Sequence, residues 1–143
     1  MFPEKIRKQA VEIGHVLKMD MFPSDHVTPK KGANHKVKRF VIIGKNDNKL
    51  VAALLINSQI NSKFFMMKGP YQHLITVDKY DFLDHDSYID GFSILEFDYK
   101  RVLGTAQYLG RIDSDDMKDA INLVCDSPDV KPIILKKFGL KKQ

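Results

Sequence analysis

The chain carries a single cysteine, Cys125, so it has no intramolecular disulfide partner and a disulfide scaffold is excluded. Long apolar runs are also missing, since nothing approaches the roughly 20 residues needed to span a bilayer. Residues 1–14 (MFPEKIRKQAVEIG) carry charge throughout, where a secretory signal has an apolar centre. The five histidines are scattered, without the His-x-x-x-His or Cys-x-x-Cys spacing of a metal site. There is no glycine-rich phosphate loop of the P-loop or dinucleotide type. Zinc, ATP and NAD chemistry are therefore not expected, nor is any other cofactor. Internal repeats, low-complexity tracts and interdomain linkers are lacking too. Together these absences predict one soluble cytoplasmic domain, residues 1–143, with no membrane partner.

What is present is ordinary for a globular chain: 143 residues, 43% hydrophobic and 29% charged, with a net charge of +5. The distribution of charge says more than its sum. Residues 30–39 hold Lys30, Lys31, Lys36, Lys38 and Arg39 with no acid among them, whereas Asp78, Asp81, Asp84, Asp86, Asp90, Glu96 and Asp98 crowd residues 78–98. These are two solvated stretches, or a basic surface for a polyanion beside an acidic one.

Residues 3–13 suit a short helix, with Pro3 at its start, Ile6, Ala10 and Ile13 on one face, and Gly14 as its stop. Residues 15–21 (HVLKMDM) read as a strand, followed by a polar loop over 23–38. The β-branched run 39–44 (RFVIIG) and the apolar run 50–56 (LVAALLI) flank Lys45-Asn46-Asp47-Asn48, a turn sequence, and predict a hairpin. Residues 57–67 read as a loop, and further strands are expected at 73–77, 87–91 and 93–97. In 113–125, Met117, Ala120, Ile121 and Val124 recur at helical spacing behind Asp113 or Ser114 as a cap. The basic tail, 131–143, shows no evident core role. Short strands followed by a helix predict a mainly β, α+β domain: a small twisted barrel or half-barrel with a helical plug.

The order of these segments resembles the MazF/PemK/Kid family of ribonuclease toxins over about residues 14–125. Gly14-His15-Val16 resembles the family's opening glycine and first strand. Residues 32–47 (GANHKVKRFVIIGKND) resemble its loop that ends in an arginine and enters an apolar strand, with Arg39 in the arginine's place and Phe40 where a proline usually follows. Residues 51–61 resemble the next strand, with Asn57 where the family typically has a threonine and Ser58 beside it. Asp86-Ser87-Tyr88 falls at a recurring serine, and Gly110-Arg111-Ile112 with the following helix resembles the closing element.

The resemblance implies a compact SH3-like barrel and a metal-independent endoribonuclease for single-stranded RNA. It also implies a homodimer held in check by an antitoxin protein. Metal-free RNA cleavage needs a base for the ribose 2′-hydroxyl, an acid for the leaving 5′-oxygen, and donors for the phosphate. Arg39 is the candidate for the phosphate, because its planar fork binds two oxygens at once, although it can equally pair with a nearby acid. Asn57 and Ser58 are candidates for orienting the phosphate, or are a plain turn. Asp90 and His85 are alternative candidates for the base, an imidazole ordinarily titrating near pH ~6.5. His35, Lys36 and Lys38 are candidate RNA contacts. Tyr71 and Phe64 are candidates for stacking on bases, or for the core. A non-catalytic barrel that binds nucleic acid or protein is the competing reading, favoured by Asn57. A third is an interaction module that grips a partner through Phe64, Phe65, Met66 and Met67.

Overall fold

The computed structural model describes residues 11–25, 27–29, 31–47, 49–59 and 65–143. Three long strands carry it: β1 (His15–Met21), β2 (Lys36–Asn46) and β3 (Leu50–Asn57). Successive side chains on a strand point to opposite faces, and here both faces of the central strands are covered. Phe40 and Ile42 of β2, Leu17, Met19 and Met21 of β1, and Val51 and Ala53 of β3 enter one apolar cluster. Val41 and Ile43 with Val16, Ala52, Leu54 and Ile56 enter another. This two-sided burial is the reason 39–44 reads as an unbroken apolar run, and each such side chain contributes about 1.5–3 kcal/mol.

Four short strands complete the sheet: β4 (Gln72–Ile75), β5 (Ser87–Asp90), β6 (Leu95–Asp98) and β7 (Gln107–Arg111). The order is β4-β5-β3-β2-β1-β7, with β6 pairing β3 beside β5, and the pairings are antiparallel. β3 therefore forks, its first half (Leu50–Ala53) facing β6 and its end (Ile56, Asn57) facing β5. The expected mainly β, α+β fold with helices is what forms, built on an antiparallel sheet. Its sheet ends at β4 and β7 and does not close into a cylinder.

Among the described residues four α-helices accompany it: α1 (Phe65–Lys68), α2 (Tyr99–Thr105), α3 (Ser114–Asp126) and α4 (Pro132–Lys137). α3 is the helix foreseen from its periodicity. Asp113 caps it by accepting from the Asp116 N–H at 2.9 Å, and Met117, Ala120, Ile121 and Val124 are its buried stripe. None of the described helices is long and apolar enough to cross a membrane.

Several expectations are corrected. β2 begins at Lys36, not at residue 39, because Val37 and its neighbours pair with β1 as far as Met21↔Lys36. Their side chains are exposed or half-buried, so no apolar signal marks them. α1, α2 and β7 occupy stretches read as loop or left unassigned. The tail does have a core role: Phe138 is buried, and Ile134, Leu135 and Leu140 pack on the same cluster as α3. Its approach is close enough that a Cβ on Gly44 would lie 3.0 Å from Phe138 Cβ, so only glycine fits there without a shift.

The proposed N-terminal helix falls mostly outside the described residues. Within them, residues 11–14 form a bend and turn, with Val11 rather than Ile13 buried. Gly14 takes a φ of +92°, the left-handed region glycine tolerates, and bonds Ile42 and Ile112 on either side as the chain enters β1.

Candidate functional site

The register of the three long strands opens a groove at one end of the sheet. β2 and β3 pair as far as Arg39↔Ile56, whereas β2 continues along β1 through Lys38, Val37 and Lys36. Where β3 turns away after Asn57, the extra length of β2 walls a cleft of about 350 Å³. Lys18, Arg39, Ile56 and Ile89 are directly opposite one another across β1, β2, β3 and β5, so their side chains share a face.

Of the nine candidate site residues among the described residues, six line this cleft: Lys36, Lys38, Arg39, Asn57, Ser58 and His85. Residues separated by up to 49 positions thus meet at one cleft, Lys18 and Arg39 coming from one face of the sheet and Lys36, Lys38 and Asn57 from the other. Its charge is uneven, with Lys18, Lys36, Lys38 and Arg39 against the one carboxylate Asp84. Such a concentration of cations raises the local population of anionic ligands.

Each cation has a distinct setting. Arg39, about one-third exposed, donates from Nη2 to Asp84 Oδ2 at 2.9 Å, while the Asp84 side chain is 72% exposed. Arg39's hydrogen bond and charge hold the Asp84 carboxyl below the usual range. The pairing with an acid weighed from sequence is therefore the resting state of Arg39, and its partner lies at the groove's open side. Lys38 donates from Nζ to Asn57 Oδ1. Burial pushes the Lys38 ammonium from 10.5 down to about 8, the like charge of Lys36 adds to this, and Asp90 opposes it. His85 rides on a loop tied at both sides: buried Ser87 donates its hydroxyl to the His85 carbonyl at 2.9 Å, and Asp86 accepts from the Val77 N–H at 2.8 Å.

Three candidates lie away from the groove lining. Asp90 Oδ1 accepts from Gln72 Nε2 and from the Phe92 N–H, both at 2.9 Å, and it touches the groove only through its field on Lys38. His35 Nδ1 sits 2.9 Å from Asp20 Oδ1, with its ring beside Phe22. Tyr71 is half-buried against Phe92, with ring centroids 5.7 Å apart. Phe64 lies outside the described residues. In the same stretch Met66 and Met67 are exposed.

Sequence reasoning missed Lys18 and Asp84. Lys18 and Asp20 are the polar, less buried members of an alternation with Leu17, Met19 and Met21 in β1, a signal that was available. Nothing local sets Asp84 apart from the other acids of 78–98.

A second polar cluster joins β4 to α3. His73 Nε2 meets Asp116 Oδ1 at 2.7 Å, Lys79 Nζ lies 2.9 Å from Asp116 and 2.6 Å from Asp113, and the Tyr80 hydroxyl donates to Asp116. Burial raises the Asp116 carboxyl, but the hydrogen bonds from Tyr80, His73 and Lys79 outweigh it and bring it to about 2. His73, Asp116 and Asp119 also place one ligand atom each within 4.8 Å of one another, a convergence that sequence spacing could not reveal. The Lys79 ammonium already provides the positive charge this carboxylate demands, and the cluster acts as a joint between strand and helix.

No family model matches the chain, and no curated protein matches it. Solved structures do. A chain of the crystal structure of MazE-MazF from Deinococcus radiodurans is similar to it with a TM-score of 0.55 and 12% identity, over 80% of this chain and 92% of that one. At that identity the likeness is one of fold, and it places this chain's architecture with the MazF-like folds.

Proposed function

We propose that this chain is a toxin-type endoribonuclease that cuts single-stranded RNA in the groove over the ends of β2 and β3. One observation carries the reading: Arg39, Lys36, Lys38, Asn57, Ser58 and His85 line a single cationic cleft on a MazF-like fold. Arg39 exchanges Asp84 for the scissile phosphate, its fork engaging two oxygens. Lys36 and Lys18 hold flanking phosphates, and the Asn57 amide and Ser58 hydroxyl orient the reacting one. Of the two groups considered for proton transfer, His85 has the better position, because Asp90 is engaged by Gln72 and the Phe92 amide. The positive charge required at phosphorus comes from side chains, so cleavage proceeds in a chelator.

The neighbour is a MazE-MazF structure. By analogy, the chain is held in check by an antitoxin protein that covers the same cationic groove, and it works as a cytoplasmic homodimer.

Incubation of the purified protein with an unstructured RNA in EDTA tests this directly. Discrete cuts in single-stranded but not in duplex RNA are expected. An RNA that binds and stays intact would select the competing reading, a non-catalytic nucleic-acid-binding module. The observation favouring that alternative is Asn57, whose amide accepts from Lys38 and cannot itself take up a proton.

A further inference from the structure

We propose that Lys38 is a proton-transfer residue of this groove, taking the proton of the attacking ribose 2′-hydroxyl while Asn57 holds its amine in place. The inference deepens the ribonuclease reading and rests on it. It gives a chemical role to a lysine that otherwise serves only as a phosphate cation.

The geometry comes from the strand register. Arg39↔Ile56 pairing puts Lys38 across from Asn57, and Lys38 Nζ donates to Asn57 Oδ1 inside the groove. An amine donates that bond whether or not it is protonated, so in the neutral form its lone pair is left for the cleft. The groups that bear on it are Lys36 on its own strand and Asp90 on β5, with Lys18, Arg39, Asp84 and His85 around the same cleft. Burial and the neighbouring Lys36 charge disfavour the ammonium, and the Asp90 charge favours it. With an ammonium brought down to about 8, about a tenth of the molecules carry the free amine at pH 7. Arg39 has no comparable capacity, since a guanidinium does not release its proton in a protein.

The step balances without a further reagent. The 2′-oxygen–phosphorus bond forms as the phosphorus–5′-oxygen bond breaks. The 2′ proton passes to the Lys38 amine, and the 5′-oxygen is protonated by solvent water, to which the Lys38 ammonium returns its proton. The products are a 2′,3′-cyclic phosphate and a 5′-hydroxyl.

Single-turnover cleavage of a mixed-sequence RNA oligonucleotide in EDTA, read from pH 6 to 9.5, is compared for the native chain, Lys38→Arg and Lys38→Gln. The native rate is expected to climb through an ascending limb centred near pH 8. Both variants should lose about 100-fold or more in rate. Lys38→Arg, which keeps the charge, should bind the RNA within about threefold of the native affinity and lose the limb. Nitrogen NMR of labelled lysine in the free protein should show Lys38 titrating near 8, and a value near 10.5 would overturn its role. Lys38→Arg cleaving within about threefold of native, with the same pH profile, would overturn the role of Lys38 and leave the ribonuclease intact. A native chain that cuts no RNA would overturn both.

Discussion

Replacing Lys38 by methionine should stabilise the fold while removing its chemistry. The lysine is held at about 8 against an ordinary 10.5, and each unit corresponds to ~1.36 kcal/mol, so folding opposes its charge by at most about 3 kcal/mol. The side chain reaches solvent through the groove, and screening reduces this to about 1–2 kcal/mol. Methionine keeps the length of the stem and carries no charge to desolvate. For a chain of this size that gain raises the melting temperature at pH 7 by roughly 3–6 °C. The sign with pH follows from proton counting. Between pH 8 and 10.5 the unfolded lysine holds a proton that the folded one has released, so native stability rises with pH there. The advantage of Lys38→Met should therefore shrink across that window and vanish above it. Thermal melts at pH 7, 9 and 10.5 measure both effects. A variant that melts at or below the native temperature at pH 7 would refute the idea that this lysine is kept against the interest of the fold.

Other perturbations have equally definite outcomes. Asp84→Asn frees the Arg39 fork, so affinity for a single-stranded RNA should rise about two- to fivefold at low salt, as read by fluorescence anisotropy; weaker binding would mean that Asp84 serves as more than a resting partner. Phe138→Ala should cost about 3 kcal/mol by urea denaturation, because the ring is buried against Gly44 and the α3 cluster; a neutral result would mean that the tail is not part of the core. The Asp116 carboxyl, lowered to about 2, contributes stability that is present above about pH 4 and is lost as pH falls toward 2. Asp116→Asn should flatten that part of the acid unfolding profile, and an unchanged profile would put the acid sensitivity elsewhere.

Much of the fold could be read from the chain because local chemistry and tertiary context agree. The run at 39–44 is buried on both faces, the turn residues after it close a hairpin, and the stripe from Met117 to Val124 is covered as its spacing requires. The start of β2 was hidden because Lys36, Val37 and Lys38 face outward or into the groove, where hydrophobic alternation carries no information. The tail was hidden because its six-residue helix is framed by lysines, and only the space above Gly44 explains why Phe138 is inside. For the site, residue types located six of the nine candidates in one cleft. Asp90, His35 and Tyr71 lie away from its lining, each held by a partner, Gln72, Asp20 or Phe92, that only the folded packing brings close. The Arg39–Asp84 pair spans 45 positions and has no local signature at all.

The most direct test of the central claim is a side-by-side incubation of the native chain and Arg39→Ala with a long unstructured RNA in EDTA, with the ends of any fragments mapped. The proposed function predicts discrete cuts bearing 2′,3′-cyclic phosphate and 5′-hydroxyl ends for the native chain, and a loss of at least about 100-fold in the variant. Intact RNA in both reactions, or equal cutting by Arg39→Ala, would contradict it.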